Sequence, residues 1–492
     1  MPMKALVRHF LYAAGLVLLG MLCVVVLGYA VMLQHLPELK PWHTVELTED
    51  FHAGSQTAAF SAYLEAEDRV FAEMHDKILE HTPPEDRFAF NRYNPGSLSD
   101  PELVEPNWNR TFELGGPAAR GGVLLLHGLS DSPYSLRSIG EQLNEEGWKV
   151  LGMRLPAHGT IPGALRNYDR DDARAATRIG MRHLKDQLGE DAPLIIVGYS
   201  SGATLAADYA LQTRNHPDLP GIDGLILLSP AFAVAPIAAL AKWQSRVGKL
   251  LGIDKLAWQI VTPEFDPYKY NSFAVHAGHQ IYQLTLEVDQ QLLLAHRNGP
   301  IEGFPPTLAF QSVADATVHA PAVATRLLGR LGENGSALVL YDINRHTDVE
   351  PLYRSDTGSW VAELISGATG YSITLLTNRD SDTDSVEAIT RPAGASTTAR
   401  EHLDLKWPSN VYSLAHVALC FPPDDPVYGA AKNDDGKLLD IGAVELRGET
   451  GVLAISASLL SRLRHNPFYS YQALRIRQFA QRIIRTHSSS QH

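Results

Sequence analysis

Leu194-Ile195-Ile196-Val197-Gly198-Tyr199-Ser200-Ser201-Gly202 decides the reading of this chain, because an apolar run ends in Gly-x-Ser-x-Gly and leads straight into Ala203-Thr204-Leu205-Ala206-Ala207-Asp208-Tyr209-Ala210-Leu211. The first part has the composition of a buried strand, and the last is rich in small residues and good helix formers. Between them a strand must turn sharply into a helix. Only glycine-sized neighbours let the backbone pass so closely, and the turn lifts one serine hydroxyl clear of the chain above the partial positive charge of a helix N-terminus. Ser200 is the expected nucleophile. A turn in which two serines merely cap a helix is the alternative, and the flanking strand and helix argue against it.

A second buried-strand run, Val123-Leu124-Leu125-Leu126, ends in His127-Gly128-Leu129-Ser130-Asp131-Ser132-Pro133. Acyl transfer builds negative charge on a carbonyl oxygen, and pre-aimed backbone N–H groups in a dry site stabilise it by about 3 kcal/mol each. One such donor comes from the residue after the nucleophile and the other from a loop after an earlier strand, which points to Ser201 and Leu129. His127 is then a structural residue that holds the turn, since the catalytic histidine belongs later in the chain.

With Met153-Arg154-Leu155-Pro156-Ala157-His158-Gly159-Thr160 between these two motifs, the chain resembles the α/β-hydrolase superfamily, and within it the carboxylesterase, monoacylglycerol lipase and lysophospholipase group. Those esterases usually have glycine where this chain has Ala157. The resemblance covers residues from about 110 to 320. It implies an α/β-hydrolase fold: a mostly parallel sheet covered by helices, with a helical cap insertion. It also implies a triad in the order Ser, acid, His. The segment Pro306 to Val318 offers a short apolar strand and then a loop with one carboxylate, so Asp315 is the expected acid, with a helix-capping role as its alternative and Asp342 as a weaker candidate.

Two stretches could supply the histidine. His346 follows the strand-like Ala337 to Ile343, about thirty residues beyond Asp315, a separation typical of the smaller esterases. His416 lies among small and apolar residues and leads into Phe421-Pro422-Pro423-Asp424-Asp425-Pro426, whose prolines suit a positioned side chain better than the charged surroundings of His346. His416 is favoured, and residues from about 345 to 410 are then an insertion between acid and base.

Residues 10–33 run without a charge and follow Lys4, Arg8 and His9, enough for a helix to cross the roughly 30 Å of a bilayer core. A retained anchor is favoured over a cleaved signal peptide, whose apolar region is shorter, although Gly28-Tyr29-Ala30 offers small residues at suitable spacing. Basic residues before the span put the N-terminus in the cytoplasm and the catalytic part on the periplasmic or extracellular side. The formal charge of −13, without a basic arm, excludes nucleic acid as an expected partner. Of 492 residues only Cys23 and Cys420 are cysteine, so no disulfide is expected within the soluble part. Asp380-Ser381-Asp382-Thr383-Asp384-Ser385 resembles the start of a calcium loop, but Ser385 takes the glycine position and Arg391 that of the bidentate acid, so no metal is expected. No cofactor is implied.

The expected organisation is a short cytoplasmic segment (1–9), the transmembrane anchor (10–33) and a linker with a helical segment from Ser55 to Glu80 (34–109). The first part of the core (110–232), the cap (233–302) and the second part of the core (303–492) follow, the last ending in a basic-faced packing helix. Trp243, Trp258, Tyr268, Tyr270 and Phe273 of the cap are candidates to line an acyl pocket, with aromatic packing inside the cap as the alternative. Two-step cleavage of lipid-like or hydrophobic esters is the expected activity. Peptide or amide cleavage, and a tethered binding protein without turnover, are the alternatives.

Overall fold

The computed structural model describes residues 3–34, 37–55, 59–233, 253–347, 352, 358–430, 439–442, 455 and 457–490. The strands are β1 (Phe112–Leu114), β2 (Gly122–Leu126), β3 (Lys149–Met153), β4 (Leu194–Tyr199), β5 (Gly224–Leu228), β6 (Trp258–Ile260), β7 (Phe273–Ala274), β8 (Thr307–Ser312), β9 (Ala337–Tyr341), β10 (Ser372–Asn378), β11 (Ser385–Arg391) and β12 (Ala399–Lys406). All but β6 and β7, which pair with each other, form one ten-stranded sheet in the order β1-β3-β2-β4-β5-β8-β9-β10-β11-β12. From β3 to β10 every neighbouring pair is parallel, while the marginal pairs β1–β3, β10–β11 and β11–β12 are antiparallel.

The near-continuous Val, Ile and Leu runs follow from this arrangement, because parallel strands with helices on both faces have no solvated side. Alternate residues serve the two layers. Leu124, Leu126, Ile196 and Leu227 pack with the helices Arg170–Leu188, Ser201–Thr213 and Val275–Ala295. Val123, Leu125, Val197 and Leu228 pack with the helices Arg137–Glu145 and Tyr469–Ser490. The last helix buries Ile476, Phe479, Ala480 and Ile483, as expected of a packing helix. At the outer edge β12 is mostly exposed and carries Arg400, Glu401, His402, Asp404 and Lys406, a charged border that discourages pairing with another chain.

Helix Val275–Ala295 falls within the segment expected as a cap (233–302) and packs with the core. Its Ile281, Leu284, Val288 and Leu292 are core residues, and Thr285 Oγ1 donates to the Ala231 carbonyl (3.0 Å), beside Thr204 Oγ1 of the elbow helix, which donates to the same oxygen (2.8 Å). Apolar periodicity marks a helix but not the layer it joins. The described remainder of the cap is residues 253–274; Trp243 lies outside the described residues.

The N-terminal part is folded onto the core. Helix Phe60–Met74 covers most of the predicted helical segment and buries Tyr63, Val70, Phe71 and Met74. Its Glu67 and the preceding Asp50 meet at Arg154, which is fully buried after β3: Nη2 is 2.6 Å from Asp50 Oδ1 and Nε 3.1 Å from Glu67 Oε2. Asp50 Oδ2 also accepts the Ala157 N–H (2.8 Å). Ala157 has φ +68°, a left-handed conformation that glycine adopts freely and alanine does not, and the Asp50 contact helps hold it there.

Among the described residues no helix is long and apolar enough to cross a membrane. The span expected at 10–33 has as its counterpart a helix, Met3–Gln34, on which Phe10, Leu16, Leu18 and Val24 are exposed.

Burial alone would raise the Asp50 carboxyl, but Arg154 beside it and the N–H groups of Ala157 and Phe51 hold it below the ordinary 3.8. Asp50→Asn leaves the buried guanidinium with one acid and is expected to cost about 3 kcal/mol in urea unfolding at neutral pH. A depressed carboxyl stabilises the fold above the unfolded-state pKa, so the gap between wild type and variant should close as pH falls below about 4.

Candidate active site

The loops after β2, β3, β4, β5 and β8 all leave the carboxyl edge of the sheet, where open α/β sheets gather their ligands. Ser200, at the end of β4, has φ +54° and ψ −115°, a strained geometry that a non-glycine residue keeps only where its surroundings enforce it. The surroundings are visible. A Cβ on Gly198 would stand 2.5 Å from Ala203 Cα, and one on Gly202 2.0 Å from the Leu126 carbonyl oxygen. The Ser200 N–H donates to the Leu228 carbonyl (2.9 Å), so neighbouring β5 holds the corner from the other side. Ser200 is part-exposed, whereas Ser201 is buried.

The same close approach of Gly202 puts Ser201, the first helical residue, against the loop that carries Leu129. In that loop His127 is fully buried. Its Nε2 accepts the Leu155 N–H (3.0 Å), which leaves Nδ1–H to donate to the Gly128 carbonyl (2.9 Å). Burial, with His158 nearby, drives the His127 imidazole well below its ordinary 6.5, so the ring is neutral and bridges the loops after β2 and β3.

Asp315 and His416 are brought together, with Nδ1 2.7 Å from Oδ2. The Asp315 carboxylate is buried and accepts further hydrogen bonds from the N–H groups of Thr317 (2.8 Å) and Val318 (3.1 Å) and from Gln311 Nε2 (2.9 Å). Burial would raise this carboxyl, but the adjacent imidazole and the two N–H groups hold it below 3.8. The His416 ring lies 5.3 Å from that of Tyr199, the residue before Ser200.

His416 reaches this point along a segment that crosses the carboxyl ends of three strands. Past β9, Asn344 N–H donates to the Tyr412 carbonyl (2.8 Å) and its Nδ2 to that of Val411 (2.9 Å). Ser312, ending β8, donates to the Leu414 carbonyl (2.7 Å), and Ser229, after β5, to that of His416 itself (3.1 Å). The other candidates are engaged elsewhere. His346 is exposed with Nδ1 3.2 Å from the Ser381 carbonyl, and Asp342 is taken by Arg345 (2.8 Å) and Thr377 (2.7 Å).

The described cap aromatics each have a packing or hydrogen-bond partner. Trp258 meets His43 edge-on at 4.9 Å, Tyr268 stacks on Tyr134 at 3.9 Å, Tyr270 OH accepts the Thr160 N–H (2.7 Å), and Phe273 lies against Gly278. The loop between β6 and β7 carries three residues that the sequence reading did not single out: Glu264, Asp266 and Lys269. Lys269 Nζ is 3.0 Å from both oxygens of Asp131, and no local motif marks that pair.

The sheet and its strand-to-helix corner define an α/β-hydrolase fold. Residues 117–348 match the family model described as serine aminopeptidase, S33. A thermostable monoacylglycerol lipase from Bacillus sp. (strain H-257) is 27% identical over 172 residues, which are 35% of this chain and 64% of that protein, so this chain spans less than two thirds of that relative. The chain thus resembles the esterase and monoacylglycerol lipase group. Among solved structures, the Paleococcus ferrophilus monoacylglycerol lipase is 22% identical with a TM-score of 0.36, covering 47% of this chain and 88% of that one. A soluble variant of monoglyceride lipase from Saccharomyces cerevisiae is 16% identical with a TM-score of 0.35, covering 47% and 82%. The family match ends at residue 348, before His416.

Glu264 is buried, and burial pushes its carboxyl up to about 7 against the N–H groups of Asn271 and Ser272, the Ser272 hydroxyl and Arg92. Between the ordinary 4.5 and about 7 the folded chain therefore holds a proton that the unfolded chain has lost, and stability from this group falls as pH rises through that window. Compared by urea unfolding at about pH 5 and pH 8, Glu264→Gln should gain on wild type by on the order of 2 kcal/mol at the higher pH.

Proposed function

We propose that this chain is a membrane-anchored serine hydrolase that cleaves carboxylic esters, with lipid-like or hydrophobic acyl groups preferred. The observation that carries the reading is the buried Asp315–His416 contact of 2.7 Å, held at the carboxyl edge beside the strained corner at Ser200. In the proposed reaction Ser200 Oγ attacks the ester carbonyl while His416 Nε2 takes its proton, and Asp315 stabilises the imidazolium. The N–H groups of Leu129 and Ser201 hold the oxyanion. The proton then passes to the departing alcohol, and water releases the acyl group by the same steps in reverse order of roles. Similarity to a monoacylglycerol lipase supports an ester of glycerol-lipid type.

In this proposal the helix Met3–Gln34 holds the chain to a membrane. Its exposed apolar side chains support that role, because such a surface is unfavourable in water. A few residues on, Trp42 and His43 are buried, and His43 Nε2 lies 3.0 Å from Ser272 Oγ of the cap, which would keep the cap close to the bilayer. The second reading, amide or peptide cleavage by the same residues, is favoured by the description of the matching family as an aminopeptidase.

A fluorophosphonate probe should label the wild type and Ser201→Ala but not Ser200→Ala. His416→Ala and Asp315→Asn should each lower kcat by about 10³-fold or more, while His346→Ala stays within a few-fold. An inactive His346→Ala beside an active, folded His416→Ala would overturn the assignment. Parallel assays on medium-chain esters and aminoacyl amides separate the two substrate classes, and amide turnover alone would replace the first reading by the second. The full chain should remain with membranes after alkaline carbonate extraction; release into the supernatant would remove the anchor.

A further inference from the structure

The loop that carries Leu129 is held by three consecutive residues of the cap. The Tyr268 ring stacks on Tyr134 at 3.9 Å with 4° between the planes. Lys269 Nζ sits 3.0 Å from each oxygen of Asp131, and the Tyr270 N–H donates to the Ser130 carbonyl (2.8 Å). Ser130 itself has φ +65°, a conformation that this grip enforces. The gripping segment is fixed in turn: Asp266 Oδ1 accepts the N–H groups of Tyr268 and Lys269 (3.0 Å each), and Glu264 accepts those of Asn271 (2.9 Å) and Ser272 (2.8 Å).

We propose that Lys269 and Asp131 are positioning residues that aim the Leu129 N–H at the reacting oxygen, an inference that rests on the reading of Leu129 and Ser201 as oxyanion donors. The Gly128 carbonyl and the Leu129 N–H belong to one planar trans peptide and point in opposite directions. That carbonyl accepts from His127 Nδ1 (2.9 Å) and from the Asp131 N–H (3.2 Å), so whatever fixes Asp131 fixes the direction of the Leu129 donor. Asp131 is buried, and its Oδ2 stands where a Cβ on Gly128 would lie only 2.9 Å away, with the Tyr199 ring at the same distance from that point. The ammonium of Lys269 is the cation bonded to it. A donor set askew lowers the rate while leaving substrate binding intact, because the bond it makes strengthens only as the oxyanion forms.

The test compares wild type, Lys269→Met and Lys269→Arg as full chains, using 4-nitrophenyl butyrate for turnover and a trifluoromethyl ketone, whose adduct with serine carries an oxyanion, for affinity. Lys269→Met should lose about 10- to 100-fold in kcat and in ketone affinity together, with KM within two-fold or so, and Lys269→Arg should recover most of both. A fall in kcat without a fall in ketone affinity, or no change in either, overturns the proposal. If Lys269→Met leaves the buried carboxylate unpaired and the chain unfolds, Asp131→Asn/Lys269→Met removes both charges and should show the same paired losses; a fully active double variant overturns the proposal as well. Fluorophosphonate labelling of Ser200 in the wild type keeps the outcomes apart: a labelled wild type with an indifferent Lys269→Met rejects the positioning role alone, and an unlabelled wild type rejects the serine hydrolase reading with it.

Discussion

The approach of Gly202 to the end of β2 is the constraint on which the site depends. A methyl group there would overlap the Leu126 carbonyl, so the elbow helix can start where it does only because residue 202 has no side chain. That one contact joins the strand bearing Ser200 to the loop bearing Leu129, and it sets their separation by hard-core repulsion rather than by any adjustable attraction. The strained φ of Ser200 is tolerated because β5 and the elbow helix hold the backbone on both sides.

Around this contact the molecule brings three separate supports to the same edge of the sheet. The N-terminal part sends Asp50 and Glu67 to the buried Arg154, which stiffens the loop after β3 and keeps Ala157 in a left-handed conformation that glycine adopts more freely. His127 transmits that order to the loop after β2, since one ring nitrogen is bonded to each loop. The cap supplies the third support through Tyr268, Lys269 and Tyr270. Each uses a different kind of bond, so the loop is fixed in position, charge and backbone direction at once.

Most of the sheet was legible in the sequence because its signals are local. An unbroken run such as Leu194 to Val197 reports burial on both faces, and the glycines at 198 and 202 report a close passage whatever lies around them. The choice between His416 and His346 was harder to read, since His416 is brought to Asp315 by hydrogen bonds from Asn344, Ser312 and Ser229 to a segment about 70 to 190 residues further along, and no periodicity records such a bond. The layer joined by helix Val275–Ala295 was hidden for a related reason: an apolar stripe announces that a surface will be covered without naming the cover. Lys269 and Asp131, 138 positions apart, carry no motif at all.

The route of residues 411–416 across the ends of β9, β8 and β5 has a consequence for how such a chain can grow. The imidazole of His416 is delivered by contacts with strands near the middle of the sheet, so β10, β11 and β12 can be added at the far margin without moving that ring. Lateral expansion of the sheet and the placement of His416 are thereby uncoupled, and the margin is free to vary in length and charge while the geometry at the centre is retained.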